Sequence, residues 1–411
     1  MEKQLRGDGM KNEIKLSAMM FVQYIMLPVW FVPMLPYVES LPDGSTWAVW
    51  CGLVMGFGTF ASPLLGMFAD RFFNAERVLA ACNFAVAAVL VFAFFAGSGG
   101  VLFALMLAAM CFYMPSWSLT AAIAMANAPK SRYPRIRVFG TLGWVASGAF
   151  SLCAAKFFGI DDFDSTRWIF ACGSAASAVG GVLALSMPMT APCQRGQPLS
   201  AVDALGLRAL CLFKDRRFLA FSAVILLAMV PFQWYNVYCA AYLKESGFKY
   251  LTFTLNLGQV GEMFFMLAVG AIIAKFGYRG AMAIGLSALA FRNASFAVSS
   301  HFGIAAFDFG AILVHGLIFG LFIVGAQMYV AENVPERLRS QAQGLMNLMT
   351  AGIGVFASNI VFNFILGGAS GGARNWTRAY LVAFALSVVG IAAALLLLKG
   401  RGDAAEKGDG R

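Results

Sequence analysis

A chain of 411 residues that is 60% hydrophobic, 12% charged and +10 in net charge cannot cover a water-facing surface, because a soluble domain has roughly twice that share of charged side chains. With a mean hydropathy of +0.75 the solvent implied is lipid. The apolar runs are too long for barrel strands, so the class is a polytopic helical membrane protein.

In chain order, the runs long enough to cross a bilayer are 15–38, 46–69, 78–97, 100–127, 136–158, 167–188, 217–243, 251–274, 280–299, 303–330, 341–368 and 376–398. They are numbered here as spans 1 to 12. Span 1 carries Gln23 and is interrupted by Pro28 and Pro33. No small-residue cleavage site follows it, so it reads as a retained span and not a secretory signal. Span 2 runs into Gly66-Met-Phe-Ala-Asp70-Arg71. Span 5 opens with Arg137, Thr141 and Trp144, spaced i, i+4, i+7 along one helix face.

The longest non-apolar connection, 189–216, falls midway and is basic. It divides the chain into an N-terminal six-helix bundle (1–188), a cytoplasmic linker (189–216), a C-terminal six-helix bundle (217–399) and a cytoplasmic tail (400–411). After span 8, Gly270 and Lys275 repeat the glycine-to-cation spacing of Gly66 and Arg71.

Ionisable and amide groups inside spans are costly, at about 2.5–3.5 kcal/mol per charge, and so mark candidate sites. Span 7 has Gln233 and Asn236, and span 8 has Gln259 and Glu262; each pair is three residues apart and shares a face. Span 9 has Arg292 near its outer end, which reads as a cation snorkelling to the interface. Span 10 has Asp308, read as reaching interfacial water, and then His315, Phe319 and Phe322 along one face. Of these, Glu262 is the hardest to assign to packing alone, since an unpaired buried carboxylate must find a partner or a proton.

Of the 30 Lys and Arg residues, all but Lys156, Arg167, Lys244, Lys249, Arg292, Arg374 and Arg378 fall on the face that holds both termini. By the positive-inside rule that face is cytoplasmic, and the span count is even. This bias accounts for the net charge; no basic stripe interleaved with aromatics points to nucleic acid. The eight cysteines are scattered without C-x-x-C spacing, and two histidines supply no metal cluster. No Walker loop or GxSxG elbow argues for an ATP-driven pump or a hydrolase, and the chain is read as a non-enzyme without cofactor or metal.

GMFADR at 66–71 resembles the loop between spans 2 and 3 of the major facilitator superfamily. The resemblance implies an all-α membrane fold of twelve transmembrane helices in two pseudo-symmetric six-helix bundles, with a central site between them. Gly66, Asp70 and Arg71 would then form the conformational switch. A second resemblance is narrower. YPRIRVFGTLGW (133–144), FQWYN (232–236), GQVGE (258–262), HGLIFGLF (315–322) and RSQAQG (339–344) are similar to blocks of the nucleoside:proton symporter family in spans 5, 7, 8, 10 and 11.

That family implies that Arg137, Gln233 and Asn236 hydrogen-bond the nucleobase while Thr141 and Trp144 line its pocket. Gln259 and Glu262 hold the ribose hydroxyls, Phe319 packs on the nucleoside, and His315 stands where the family has histidine or tyrosine. Amides can read base edges, aromatic faces stack on bases and a carboxylate accepts from a vicinal diol.

Two departures stand out. The family aspartate after the span 10 aromatic is Gly320 here, and the span 1 block reads Gln23-Tyr-Ile-Met-Leu27-Pro28-Val-Trp30. Asp308 is about 18 Å of helix away from Gly320, which leaves Glu262 as the proton-coupling candidate. The expectation is a monomeric secondary carrier of the cell inner membrane that moves a nucleoside with a proton and has the lipid bilayer as its surroundings. A sugar or polyol carrier and a drug or metabolite exporter are the alternatives.

Overall fold

The computed structural model describes residues 2–62, 65, 69, 71–129, 132–192, 207–366 and 374–398. Among these, the regular elements are all helices, and helices occupy each of the twelve apolar runs. Among the described residues, ten helices are long and apolar enough to cross a membrane. The difference from twelve has local causes. Span 2 is described as Gly44–Thr59, only 16 residues. Spans 8 and 9 run together as Leu251–Phe302, interrupted at Gly277 with φ 68° and ψ 177°. Only a residue without a Cβ adopts that conformation cheaply, so one glycine separates two spans.

Other breaks follow from the sequence too. Span 1 is Glu2–Ile25, then Pro28–Phe31, then Met34–Glu39, because each proline removes an amide donor from the helix ladder. Span 5 is Tyr133–Ala146 followed by Ala149–Phe158. At the break, Ser147 Oγ donates to the Trp144 carbonyl at 2.6 Å, a back-bond that bends helices. Spans 10 and 11 each contain a widened π-helical turn, at Phe319–Val324 and Leu348–Ile353. Such turns gather at functional sites.

The chain forms two compact units, one of Met1–Leu205 with Leu243–Asn256 and one of Gly206–Tyr242 with Leu257–Arg411. In the first, Leu16, Met19 and Met20 of span 1 pack with Leu79, Leu119, Ile123, Ile136 and Ala184 of spans 3, 4, 5 and 6. Lipid tails are as apolar as these side chains, so close approach must hold the helices together. Gly143 lies directly against the Phe21 carbonyl, and Gly173 against the Trp30 ring. A buried polar network adds to it. Gln23 Nε2 donates to Ser116 Oγ at 2.7 Å, and Asn83 Nδ2 donates to Gln23 Oε1 at 2.9 Å, which joins spans 1, 3 and 4.

The loops between spans 1 and 2 and between spans 5 and 6 carry two capping carboxylates. Asp43 accepts from the amides of Gly99 at 2.7 Å and Gly100 at 3.4 Å, at the start of span 4. The Gly99 amide is the main reason its carboxyl is held below the usual range. Asp164 is 3% exposed. It accepts from Thr252 N at 3.2 Å, Thr252 Oγ1 at 2.8 Å and Ser151 Oγ at 2.8 Å, and so caps the first turn of span 8. Tyr250, just before that turn, has a φ of 54°, a conformation uncommon outside glycine.

In the second unit, Phe221, Val224, Ile225 and Met229 of span 7 pack with Leu286, Leu289, Phe322, Met346 and Met349 of spans 9, 10 and 11. Spans 8 and 10 meet backbone to backbone. Gly258 faces the Ile312 carbonyl, and Gly316 sits directly on the backbone of Glu262.

Candidate functional site

In the N-terminal unit the predicted span 5 residues lie half-buried. The guanidinium of Arg137 lies 4.4 Å from the centroid of the Tyr24 ring. Tyr24 in turn stacks on Trp117 at 6.1 Å with an interplanar angle of 4°. Trp117 Nε1 donates to Tyr113 Oη at 3.1 Å, and Tyr113 Oη donates to the Gln23 carbonyl at 3.0 Å. A chain of contacts therefore holds the planar cation over a flat π surface, an arrangement that arginine suits better than lysine. Trp144 and Val145 are engaged through their carbonyls, which accept from Asn256 Nδ2 at 3.1 and 3.2 Å. The same amide reaches Ser147 Oγ at 3.0 Å. Thr141 stands on the same half-buried face as Arg137 and Trp144.

In the C-terminal unit the amides of span 7 have different roles. Gln233 is 5% exposed. Its Nε2 donates to the Thr350 carbonyl at 3.0 Å, inside the π-helical turn of span 11, and its Oε1 accepts from Asn236 Nδ2 at 2.9 Å. Asn236 itself is exposed, so its Oδ1 and remaining N–H form the open edge of the pair. Gln233 orients that edge.

His315 brings four spans together. Its ring lies 5.3 Å from Tyr235, 6.2 Å from Phe319 and 6.4 Å from Phe232, all within 28° of parallel. Its Nδ1 is 3.1 Å from Arg292 Nη1. Gly258, one residue before Gln259, lies against its Cβ. Glu262 is 6% exposed at the span 8–span 10 crossing, and Gln259 is half-buried on the same helix. Gly320 packs on Val269; a Cβ there would come within 2.9 Å of Val269 Cγ2.

Two sequence readings are corrected. Arg292 does not snorkel to the interface but is 0% exposed, held by His315 and by the face of Tyr235 at 4.2 Å. Asp308 does not reach interfacial water. It is 2% exposed and accepts from Tyr242 Oη at 2.9 Å and Ser299 Oγ at 2.7 Å. Gly66 and Asp70 lie outside the described residues, and Arg71 is half-buried. Tyr24, Tyr113 and Trp117 escape sequence reasoning because aromatics in an apolar span look like packing; the i, i+4 spacing of Tyr113 and Trp117 is the trace they leave. No group of His, Cys, Asp and Glu suited to a metal occurs among the described residues.

A polytopic helical chain with amide, carboxylate and imidazole groups gathered inside its spans is, by class, a membrane transporter of the major facilitator fold. Its fold is similar to the crystal structure of the nucleoside transporter NupG, with a TM-score of 0.79 at 24% identity over 94% of this chain and 98% of that one. The model of the nucleoside H+ symporter family matches residues 10–403, and the chain belongs to that family. It is 35% identical to the putative nucleoside transporter YegT of Escherichia coli (strain K12), over 84% of this chain and 82% of the relative. It is 26% identical to the xanthosine permease of the same organism, over 91% and 92% of the two chains.

Proposed function

We propose that this protein carries nucleosides across the bacterial inner membrane by alternating access, in symport with protons. The observation that carries the reading is the C-terminal polar cluster. An open amide edge on Asn236 is fixed by Gln233, aromatic faces surround His315, and the carboxylate of Glu262 is buried on the neighbouring span. Amide edge, aromatic face and carboxylate match base, ring and diol.

In this reading Arg137 and Asn236 bond the base, and Gln233 acts on it chiefly through Asn236. Thr141, Trp144 and Phe319 enclose the base, and Gln259 and Glu262 hold the ribose hydroxyls. Glu262 also carries the coupled proton, a role supported by its burial and by the glycine at position 320. Gly66, Asp70 and Arg71 form the switch between spans 2 and 3. The bundles are 1–188 and 217–399, both termini are cytoplasmic, the carrier is a monomer and no chemical turnover accompanies transport.

The test is uptake of labelled uridine and xanthosine into vesicles, with an inward proton gradient imposed or collapsed and with glucose as competitor. Gradient-driven accumulation that glucose does not inhibit is expected. Inhibition by glucose, or no accumulation of any nucleoside, overturns the proposal.

A further inference from the structure

A guanidinium buried in a membrane span is costly, so its surroundings indicate its task. Arg292 forms no ion pair with any described carboxylate. Its Nη1 meets His315 Nδ1 at 3.1 Å, and its charge lies 4.2 Å from the Tyr235 ring centroid and 5.5 Å from that of Phe232. Its Nε and Nη2 have no hydrogen-bond partner among the described residues. A cation placed only for packing stability would be expected to meet a carboxylate. This one meets an imidazole.

The polarity of that contact is fixed by chemistry. Arginine has donors and no acceptor, so Arg292 donates and His315 Nδ1 accepts. A ring nitrogen that accepts carries no proton, so the single ring proton resides on Nε2. His315 Nε2 has no partner among the described residues. Three rings lie near parallel to the imidazole, at centroid distances of 5.3, 6.2 and 6.4 Å.

We propose that Arg292 is a positioning residue that fixes His315 as an Nε2–H donor, and that this donor reads a hydrogen-bond acceptor on the bound nucleoside. The second half rests on the transport reading above. The consequence is selectivity by polarity. A base or sugar atom that accepts satisfies the donor, whereas one that donates leaves two buried donors face to face.

The chain has two histidines, so His301→Gln leaves His315 as the single reporter for nitrogen NMR of histidine-labelled protein in detergent. At pH 7.5 one neutral tautomer, protonated on Nε2, is expected. Arg292→Met should give a mixture of tautomers, and Arg292→Gln, which keeps an N–H donor, should restore the single one. A ring protonated on Nδ1, or on both nitrogens, overturns the proposal.

Saturating uridine or xanthosine should shift the Nε2–H resonance; binding that leaves it unmoved overturns the reading role. His315→Phe should weaken binding about tenfold, while His315→Gln, which retains a donor, should stay within about threefold. Equal losses in the two variants also overturn the role. If neither nucleoside binds while the tautomer is as expected, the transport reading fails and the Arg292–His315 assignment stands.

Discussion

Replacing Asp164 by alanine tests whether one loop carboxylate holds the start of span 8. The carboxylate accepts from Thr252 N at 3.2 Å, Thr252 Oγ1 at 2.8 Å and Ser151 Oγ at 2.8 Å. The two hydroxyls can rotate toward other acceptors. The Thr252 amide cannot, and stranding a buried N–H costs about 1–3 kcal/mol. The middle of that range, about 2 kcal/mol, already contains the lost cap and corresponds to roughly thirtyfold easier opening of the first turn. Hydrogen exchange of the 251–256 segment reads this directly.

Asp164→Asn keeps an acceptor for the amide and removes the buried charge, so at neutral pH it should fall within about 1 kcal/mol of the parent. The pH dependence gives a second check. Burial raises the Asp164 carboxyl above its ordinary 3.8, and the three hydrogen bonds only partly offset this. The folded state therefore binds more protons than the unfolded one in the window above 3.8, and stability falls as pH rises through the folded value. After correction for intrinsic exchange, the parent should lose protection across that window and Asp164→Asn should not. Alanine-variant protection within threefold of the parent, or an unchanged slope in the asparagine variant, would refute the reasoning.

Glu262→Gln should abolish accumulation driven by a pH gradient while equilibrium nucleoside exchange continues; uptake that remains equally pH-dependent removes Glu262 as the coupling group. Asn236→Ala should weaken nucleoside binding by about 1–2 kcal/mol through loss of a read edge, whereas Gln233→Ala should both weaken binding and lower thermal stability, because it also frees the Thr350 carbonyl; calorimetry on the two variants separates them. Gly316→Ala places a methyl group on the Glu262 backbone and should cost about 1–3 kcal/mol, seen as a lower melting temperature in detergent. Arg137→Lys keeps the charge and loses the flat stack on Tyr24, so affinity should drop without a change in expression.

The twelve spans were legible because lipid imposes a length and a composition on every crossing helix. The pairs Gln233/Asn236 and Gln259/Glu262 were legible because amides and carboxylates stand out against apolar helices. Hydropathy cannot tell a side chain facing lipid from one facing a neighbouring helix, and this is where Arg292 and Asp308 were misread. Each lies near a predicted span end, and each finds its partners in the fold, His315 for one and Tyr242 and Ser299 for the other. The division of labour between Gln233 and Asn236 was hidden as well, since it depends on a carbonyl within the widened turn of span 11. The Gly277 break falls in the 275–279 gap that hydropathy leaves between spans 8 and 9; its backbone angles show how the turn is made.

The π-helical turns at Phe319–Val324 and Leu348–Ile353 set the rotational phase of everything after them. A π turn accommodates an extra residue without advancing the helix face as an α turn would. Deleting one residue from 319–324 would let the ladder revert to α geometry and leave the following side chains, Ala326 and Val330 among them, on their present faces. The same change a few residues outside the segment would have no slack to absorb it. Length variation among homologous carriers should therefore be tolerated at these two turns, and a gapless alignment drawn through them would pair side chains that point in different directions.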